Sequence, residues 1–276
     1  EVAGGANHPA CTAADGQSGQ SGQSGQSIHR AEITLVPSGA GAEAALRECI
    51  DKLRAAGKRV VAIDYTHPSA VDGNGQLYLR LGLPFVMGTT GGDREALAAA
   101  CRAAGLHAVI AANMCKQIVA LQTCLEMMSQ QFPGAFGGYA LRVEESHQAR
   151  KADTSGTAKE MVKYFGALTG APFPVERIVK KRDREAQLAF GVPEAVLGGH
   201  AFHTYALQSG DGTVGFEFKH NVEGRRTYAE GTVDAVEFLA AQMQQAAAGG
   251  GGAGGAAAEG KRVFNMIDVL KGGGMR

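Results

Sequence analysis

A histidine and a lysine lie four residues apart in one polar run, and both side chains can exchange protons. An ordinary imidazole such as that of His147 titrates near neutral pH, and Lys151 is a cation or, when desolvated, a proton donor. The run follows a strand-like segment, 139–143, and leads into a helix-like segment, 158–168. This placement predicts an acid–base pair at the end of a strand.

The turn of small residues directly after this pair has the composition of an anion site. Thr154 or Ser155 can cap the coming helix, and Gly156 lets a ligand approach the backbone. The first N–H groups of a helix are unpaired and carry the positive end of its dipole, so they favour a carboxylate. That carboxylate would also reach the hydroxyls of Ser155 and Thr157 and the ammonium of Lys151. The run therefore suits a small anionic substrate that gains or loses a proton.

A purely structural interpretation of the same residues remains open at this point. Ser-Gly-Thr before a helix is most often only a cap, and a histidine four residues before a lysine is common on solvated surfaces. Spacing alone favours this interpretation, so the choice depends on the rest of the chain.

The segments before this run alternate between short apolar strands and helices. Predicted strands are 33–36, 60–64, 84–87 and 108–111, and predicted helices are 42–56, 69–81 and 93–104. Gly57, Gly82 and Gly105 follow the helices, where a residue in the left-handed conformation commonly ends them. The alternation predicts an α/β fold with a parallel sheet covered on both faces.

Three strand ends carry residues that suit an extended cofactor, because ligands of parallel sheets bind beyond the carboxyl ends of the strands. The Gly-Thr-Thr-Gly turn offers backbone N–H groups and hydroxyls, although turn chemistry alone also explains it. The residues at the three ends are Tyr65, Thr66 and His67, then Gly88, Thr89 and Thr90, then Ala111, Ala112, Asn113 and Met114. Their alignment at one edge of the sheet predicts a cofactor site.

The second half of the chain predicts a different sheet. An amphipathic helix at 117–131 is interpreted as the crossover, and strands are predicted at 175–181, 200–208 and 213–222. In the last of these, apolar and polar residues alternate, so the sheet is expected to be open, mixed or antiparallel. This sheet is interpreted as a self-association surface. A long helix at 231–245, a Gly/Ala insert at 246–260 and a closing segment at 262–270 complete the chain.

Composition excludes several classes of function. The 276 residues include 27 basic and 27 acidic ones, which gives no electrostatic case for nucleic acid or an anionic membrane surface. No apolar run approaches the length of a membrane span, and the five cysteines show no Cys-x-x-Cys spacing, so reduced intracellular thiols are expected. His200 and His203 would point to opposite faces of a strand, and no metal site is predicted.

Several long motifs together resemble the dihydrodipicolinate reductase family in its plant-type form. The motifs are HQARKADTSGTA at 147–158, DYTHP at 64–68, PFVMGTTGGD at 84–93, GHAFH at 199–203, FEFKHNV at 216–222, YAEGTVDAV at 228–236 and FNMIDVL at 264–270. The resemblance runs from about residue 27 to the C-terminus, apart from the Gly/Ala insert.

The resemblance implies two domains. A Rossmann-like dinucleotide-binding domain would occupy 28–117, an α+β substrate and oligomerisation domain 118–226, and a return to the first domain 227–276, after a low-complexity tail at 1–27. The family's early glycine-rich loop, which holds the cofactor pyrophosphate, has no counterpart here. The first strand–loop–helix unit is therefore expected to lie upstream of Glu1, and its loss would weaken cofactor binding severely.

The resemblance also implies an activity and site residues. The reaction is the NAD(P)H-dependent reduction of 4-hydroxy-tetrahydrodipicolinate to tetrahydrodipicolinate, in lysine biosynthesis by the diaminopimelate route. His147 and Lys151 would be catalytic, and the three strand ends would bind the nicotinamide and ribose of NADPH or NADH. The implied substrate-binding residues are Gln148, Ser155, Gly156, Thr157 and Arg225. A homodimer or homotetramer and a soluble chloroplast location are expected on the same ground.

Two other functions remain open from the sequence. A cofactor-free remnant could bind a dicarboxylate or assemble with complete subunits, although both His147 and Lys151 are kept. Another nicotinamide-dependent dehydrogenase on the same sheet would leave the motif at 147–158 unexplained.

Overall fold

The computed structural model of this chain describes residue 39 and residues 41–248 and 260–272. The chain divides into two compact units, Glu1–Val60 and Val61–Arg276. In the first unit, helix α1 carries ion pairs one turn apart, Glu43 with Arg47 and Glu48 with Lys52. The predicted strand at 33–36, the tail at 1–27 and most of the Gly/Ala insert lie outside the described residues.

The described helices and strands follow the predicted alternation closely. The strands are β1 Ala62–Asp64, β2 Phe85–Met87, β3 Ala108–Ile110, β4 Ala140–His147, β5 Val179–Lys181, β6 His200–Gln208, β7 Gly215–Glu223 and β8 Val263–Phe264. The helices are α1 Ala42–Ala55, α2 Val71–Arg80, α3 Arg94–Ala103, α4 Lys116–Gln131, α5 Gly156–Thr169, α6 Arg184–Ala189, α7 Arg226–Ala247 and α8 Met266–Lys271. Within the described part of the chain, no helix is both long and apolar enough to cross a bilayer.

The first sheet is parallel throughout, in the order β1-β2-β3-β8. Successive side chains of a strand point to opposite faces of the sheet. Val86 therefore packs towards α7 and α8, whereas Phe85 and Met87 pack towards α2 and α3. Both faces are therefore covered, which confirms the predicted α/β class. Gly57, Gly82 and Gly105 follow their helices with φ of +71°, +54° and +64°.

The second sheet is mixed, in the order β5-β4-β6-β7. β5 runs parallel to β4, and the other neighbours are antiparallel. α4 and α5 cover one face through a cluster that includes Met161, Phe165 and Tyr205. Phe218 packs against this cluster and Phe216 contacts Phe136, so part of the apolar face of this sheet contacts the chain's own core.

Several elements in this half differ from the sequence prediction, and the strand predicted at 175–181 is confined to Val179–Lys181. β4 continues through His147, because its polar residues are buried against β6 and not exposed in a loop. α7 begins at Arg226, one residue after Arg225, and α6 had not been predicted. α6 is only six residues long, and its signal is the Asp183 side chain that accepts a hydrogen bond from the Ala186 N–H.

Candidate functional site

A cleft of about 1500 Å³ separates the edge of the parallel sheet from the start of α5. The predicted site residues that line it are Tyr65, Gly88, Thr90, Ala112, Asn113 and Met114 on one side and Lys151, Ser155, Gly156 and Thr157 on the other. The cleft therefore brings together most of the predicted cofactor residues and most of the predicted substrate residues, although long stretches of chain separate them.

Seven predicted site residues are not part of the cleft lining. They are Thr66, His67, Thr89, Ala111, His147, Gln148 and Arg225. His147, Thr89 and Ala111 are buried behind the surface, whereas the exposed Arg225 precedes α7. The His67 ring contacts the Ser69 hydroxyl at 2.9 Å and caps a single helical turn before α2.

A buried carboxylate organises the first two strand ends. Asp64, at the end of β1, accepts hydrogen bonds from the hydroxyls of Thr66 at 2.8 Å and Thr89 at 2.5 Å. It also accepts from Asn74 and Tyr78, each at 2.8 Å. Burial raises the pKa of Asp64, but these hydrogen bonds lower it below its ordinary value. Asp64 is thus an acceptor that holds the Thr66 and Thr89 loops together.

The two sides of the cleft meet at one side-chain contact. The Asn113 amide, beyond β3, donates to the Thr157 hydroxyl at 3.2 Å. The Asn113 carbonyl oxygen in turn accepts from the Cys115 N–H at 2.8 Å, which fixes the orientation of the amide. A residue predicted for the cofactor therefore contacts a residue predicted for the substrate.

Lys151 is a partly exposed cation of the site. Its ammonium lies 2.8 Å from both carboxylate oxygens of Asp153, and the side chain is 23% exposed. The hydrogen bond from Lys151 lowers the pKa of Asp153. Because Asp153 is itself on the surface, a bound anion can take over part of this pairing.

His147 lies in surroundings that keep it neutral. Burial, together with the cations Arg182 and Lys151, lowers the pKa of His147 to about 3. Its Nε2 lies 3.3 Å from Nε2 of His203, which is also buried. The sequence analysis interpreted His147 as a group that titrates near neutral pH. That interpretation did not include the burial of the ring, which depends on the pairing of β4 with β6.

A buried ion pair makes a hydrogen bond to the residue before α5. The Ser155 N–H donates to Oε2 of Glu145 at 3.0 Å, and the same carboxylate pairs with Arg182. Ser155 occupies the N-cap position, but its hydroxyl makes no capping hydrogen bond. That hydroxyl and the first N–H groups of α5 are therefore free to bind a ligand in the cleft.

Glu145, His147 and His203 together have the residue types of a metal site. One ligand atom from each lies within 4.8 Å of the others. The Glu145 carboxylate is already neutralised by Arg182 and accepts the Ser155 N–H, so the chain itself balances its charge. We interpret these residues as an internal polar cluster, in which His203 lies 3.3 Å from His147 and 3.9 Å from Glu145.

Several residues of the site were not singled out from the sequence. Arg94 lines the cleft and donates to the Thr89 carbonyl at 2.8 Å, and Asp153 pairs with Lys151. Asp153 lies in the motif at 147–158 and Arg94 directly follows the motif at 84–93, so their position was a usable signal. Glu145 and Arg182 lie 37 residues apart, and no local pattern links them.

Comparisons with known proteins agree with these motifs. The family model "Dihydrodipicolinate reductase, C-terminus" matches residues 117–270, and "Dihydrodipicolinate reductase, N-terminus" matches residues 8–114. The chain is 51% identical over 218 residues to "4-hydroxy-tetrahydrodipicolinate reductase 2, chloroplastic" of Arabidopsis thaliana, covering 79% of this chain and 59% of that protein. It is 50% identical to "Probable 4-hydroxy-tetrahydrodipicolinate reductase 2, chloroplastic" of Oryza sativa subsp. japonica, covering 79% of this chain and 63% of that protein.

The chain thus spans about three fifths of the length of these plant relatives. Among solved structures, "Dipicolinate bound Dihydrodipicolinate reductase" from Paenisporosarcina sp. TG-14 has a TM-score of 0.47 at 18% identity, with 70% of this chain and 71% of that chain covered.

Proposed function

Because this chain belongs to the dihydrodipicolinate reductase family, we propose that it reduces 4-hydroxy-tetrahydrodipicolinate to tetrahydrodipicolinate with NADPH or NADH. The observation that carries the proposal is the cleft, in which a cation and a helix start face three strand ends of a parallel sheet. This arrangement supports an anion site beside an edge of the kind that binds extended cofactors.

The described residues fit the nicotinamide and ribose part of such a cofactor. The strand ends at Tyr65, Gly88, Thr90, Asn113 and Met114 line one wall of the cleft. They offer hydroxyl, amide and backbone groups to a neutral, hydrogen-bonding ligand. When bound, the cofactor would supply the hydride, and these residues would hold its nicotinamide and ribose.

The substrate is a dicarboxylate, and we assign one carboxylate to the start of α5. Gly156 is exposed, and a side chain built on it would meet no atom within 4 Å, so the backbone there is open to a ligand. The Ser155 and Thr157 hydroxyls and the Lys151 ammonium add hydrogen-bond donors to the same position.

Lys151 is the proton donor in this proposal. Reduction of the conjugated ring leaves electron density that a proton must neutralise, and the Lys151 side chain lines the cleft where that proton is needed. His147 is neutral and lies behind the lining, so it acts as a hydrogen-bonding group near the anion. Binding of a dianion would raise the pKa of His147, because nearby negative charge stabilises the protonated form.

Three wider assignments belong to the same proposal. We place the protein in the chloroplast because the plant relatives are named chloroplastic. We propose a homodimer or homotetramer, and domains at 28–117 and 118–226 with a return at 227–276, in which β8 rejoins the first sheet.

The test is NADPH and NADH oxidation by the full chain in the presence of 4-hydroxy-tetrahydrodipicolinate. Lys151→Ala should lower kcat by on the order of a hundredfold or more. Lys219→Ala removes an exposed lysine paired with Glu217 on β7 and serves as the matched control, with unchanged kcat. Near-normal turnover of Lys151→Ala would refute the assignment of the donor. Substrate binding without any oxidation by the wild type would favour a binding subunit.

A further inference from the structure

Tyr65 is the most exposed aromatic residue that lines the cleft, and its phenol hydroxyl contacts a helix that is distant in sequence. The side chain is 51% exposed, and its hydroxyl lies 2.6 Å from the Thr232 hydroxyl of α7, 167 residues away. Thr232 is buried and does not line the cleft. An effect of Thr232 on a ligand must therefore pass through a neighbour that lines the cleft, and Tyr65 is the neighbour whose side chain it contacts.

The direction of this hydrogen bond follows from the partners of Thr232. The Thr232 hydroxyl also lies 2.7 Å from the carbonyl oxygen of Tyr228, which can only accept. The single hydroxyl proton of Thr232 is thus used on Tyr228, so the Tyr65 phenol donates to Thr232. Towards the cleft, the Tyr65 oxygen then presents only lone pairs.

The Tyr65 ring also depends on Gly88, the neighbouring strand end. A Cβ built on Gly88 would lie 2.5 Å from Cζ of Tyr65, so the ring rests directly against the Gly88 backbone. One contact therefore fixes the relative position of the first two strand ends.

Gly231, the residue before Thr232, lies in close contact with the loop at the third strand end. A Cβ built on Gly231 would lie 1.7 Å from the Met114 carbonyl oxygen, which shows that α7 touches this loop with bare backbone. A buried ion pair between Lys116 and Asp234 adds a second link. One turn of α7 therefore contacts two of the loops that line the cleft.

We propose that Thr232 is a positioning residue for the nicotinamide cofactor, which holds Tyr65 as an acceptor for a ribose hydroxyl or the carboxamide N–H. This inference rests on the function proposed above and extends it to a residue outside the cleft. An acceptor-only phenol discriminates in favour of neutral donors and against carboxylate or phosphate at this position.

The test uses four variants of the full chain: Thr232→Val, Thr232→Ser, Tyr65→Phe and the double variant Thr232→Val/Tyr65→Phe. The dissociation constants of NADPH and NADH are measured by the fluorescence of the bound reduced cofactor. Thr232→Val and Tyr65→Phe should each raise them about three- to tenfold, as expected for one lost hydrogen bond. The double variant should add little to either single change, and Thr232→Ser should restore binding.

A second measurement needs no cofactor. Hydrogen exchange of segments 65–67 and 111–115 should be faster in Thr232→Val and normal in Thr232→Ser. Thr169→Val is the matched control, because Thr169 also donates to the carbonyl four residues earlier but lies at the end of α5. It should leave both exchange and cofactor binding unchanged.

The outcomes separate the inference from the proposed function. A folded Thr232→Val that binds cofactor normally, or effects that add fully in the double variant, would overturn the inference alone. A wild type that binds cofactor but reduces no substrate would contradict the proposed reaction alone. A wild type that binds neither cofactor would contradict both. If Thr232→Val does not fold, the cofactor dissociation constants of Tyr65→Phe and Thr232→Ser are compared with that of the wild type instead.

Discussion

His147 is the last residue of β4 and Lys151 lies four residues after it, and the two differ in charge state because they differ in burial. His147 is 8% exposed and contacts the buried His203, whereas the Lys151 side chain reaches the cleft. A buried imidazole near two cations is held neutral, and an accessible ammonium can exchange its proton with a ligand. The division of roles between the two residues thus follows from their surroundings.

The first prediction concerns the pH dependence of the free enzyme. Since the pKa of His147 is about 3, titration of this residue should cause no change near pH 6.5 in the pH profile of kcat/KM. His147→Asn should lower kcat/KM about tenfold or more without changing the shape of the profile between pH 5.5 and 8. A change in the kcat/KM profile near pH 6.5 that is present in the wild type and lost in the variant would contradict this prediction.

The second prediction concerns the buried ion pair below α5. Glu145→Gln leaves Arg182 without its carboxylate, so we expect the free energy of unfolding to fall by about 3–5 kcal/mol. Glu217→Gln, which removes half of a surface pair with Lys219, is the control and should cost at most about 1 kcal/mol. Denaturant unfolding of both variants gives the comparison, and equal losses would show that Glu145 has no special structural role.

Among the helices, α5 and α7 shape the site from opposite sides of the cleft. α5 presents its start to the ligand, with the Ser155 N–H fixed by Glu145. α7 runs from Arg226 to Ala247 and presses Gly231 against the loop after β3. Because Gly231 allows this approach, the helix can support the Met114 loop directly.

The third prediction tests this close approach. Gly231→Ala would place a Cβ 1.7 Å from the Met114 carbonyl oxygen, so the backbone must shift. We expect a loss of about 1–3 kcal/mol or more in unfolding free energy, together with weaker cofactor binding. Gly73→Ala on α2 meets no atom within 4 Å and should stabilise by about 0.5–1 kcal/mol, as expected in a helix interior. Matching losses in both variants would refute the packing argument.

Taken as a whole, the unit from residue 61 onwards holds five buried or half-buried histidines whose pKa lies below its ordinary value. Burial lowers the pKa of His203 well below its usual range and that of His220 to about 4, and His147, His107 and His200 also shift down. An unfolded chain would protonate these groups near pH 6.5, whereas the folded chain does not. The folded state therefore loses stability as the pH falls from about 6.5 towards 4.

The fourth prediction applies this linkage to His220. Neither of its ring nitrogens has a hydrogen-bond partner among the described residues, so Phe can replace it. His220→Phe should reduce the slope of unfolding free energy against pH by up to about 1.4 kcal/mol per unit between pH 6.5 and 4. Above pH 6.5 the slope should be unchanged. Thermal unfolding across this range provides the measurement, and an unaltered acid slope would contradict the prediction.

Local patterns in the sequence were sufficient to predict the α/β class, because apolar spacing and terminal glycines act over a few residues. The left-handed Gly57, Gly82 and Gly105 and the strand β6 at His200–Gln208 lie where they were predicted. The resemblance motifs also led to the cleft residues, although their roles stay predictions. Short-range chemistry such as the Asp183 cap of α6 was present in the sequence but was not used.

Burial and long-range pairing were decided only by the tertiary structure. The neutral state of His147 depends on β6, which supplies His203, and on Arg182 after β5. The contact between Tyr65 and Thr232 joins residues 167 positions apart. No local pattern encodes such contacts, because they arise when separate elements pack together and exclude water. The sequence alone therefore determined which groups can do chemistry, and the tertiary structure determined their charge states and their neighbours.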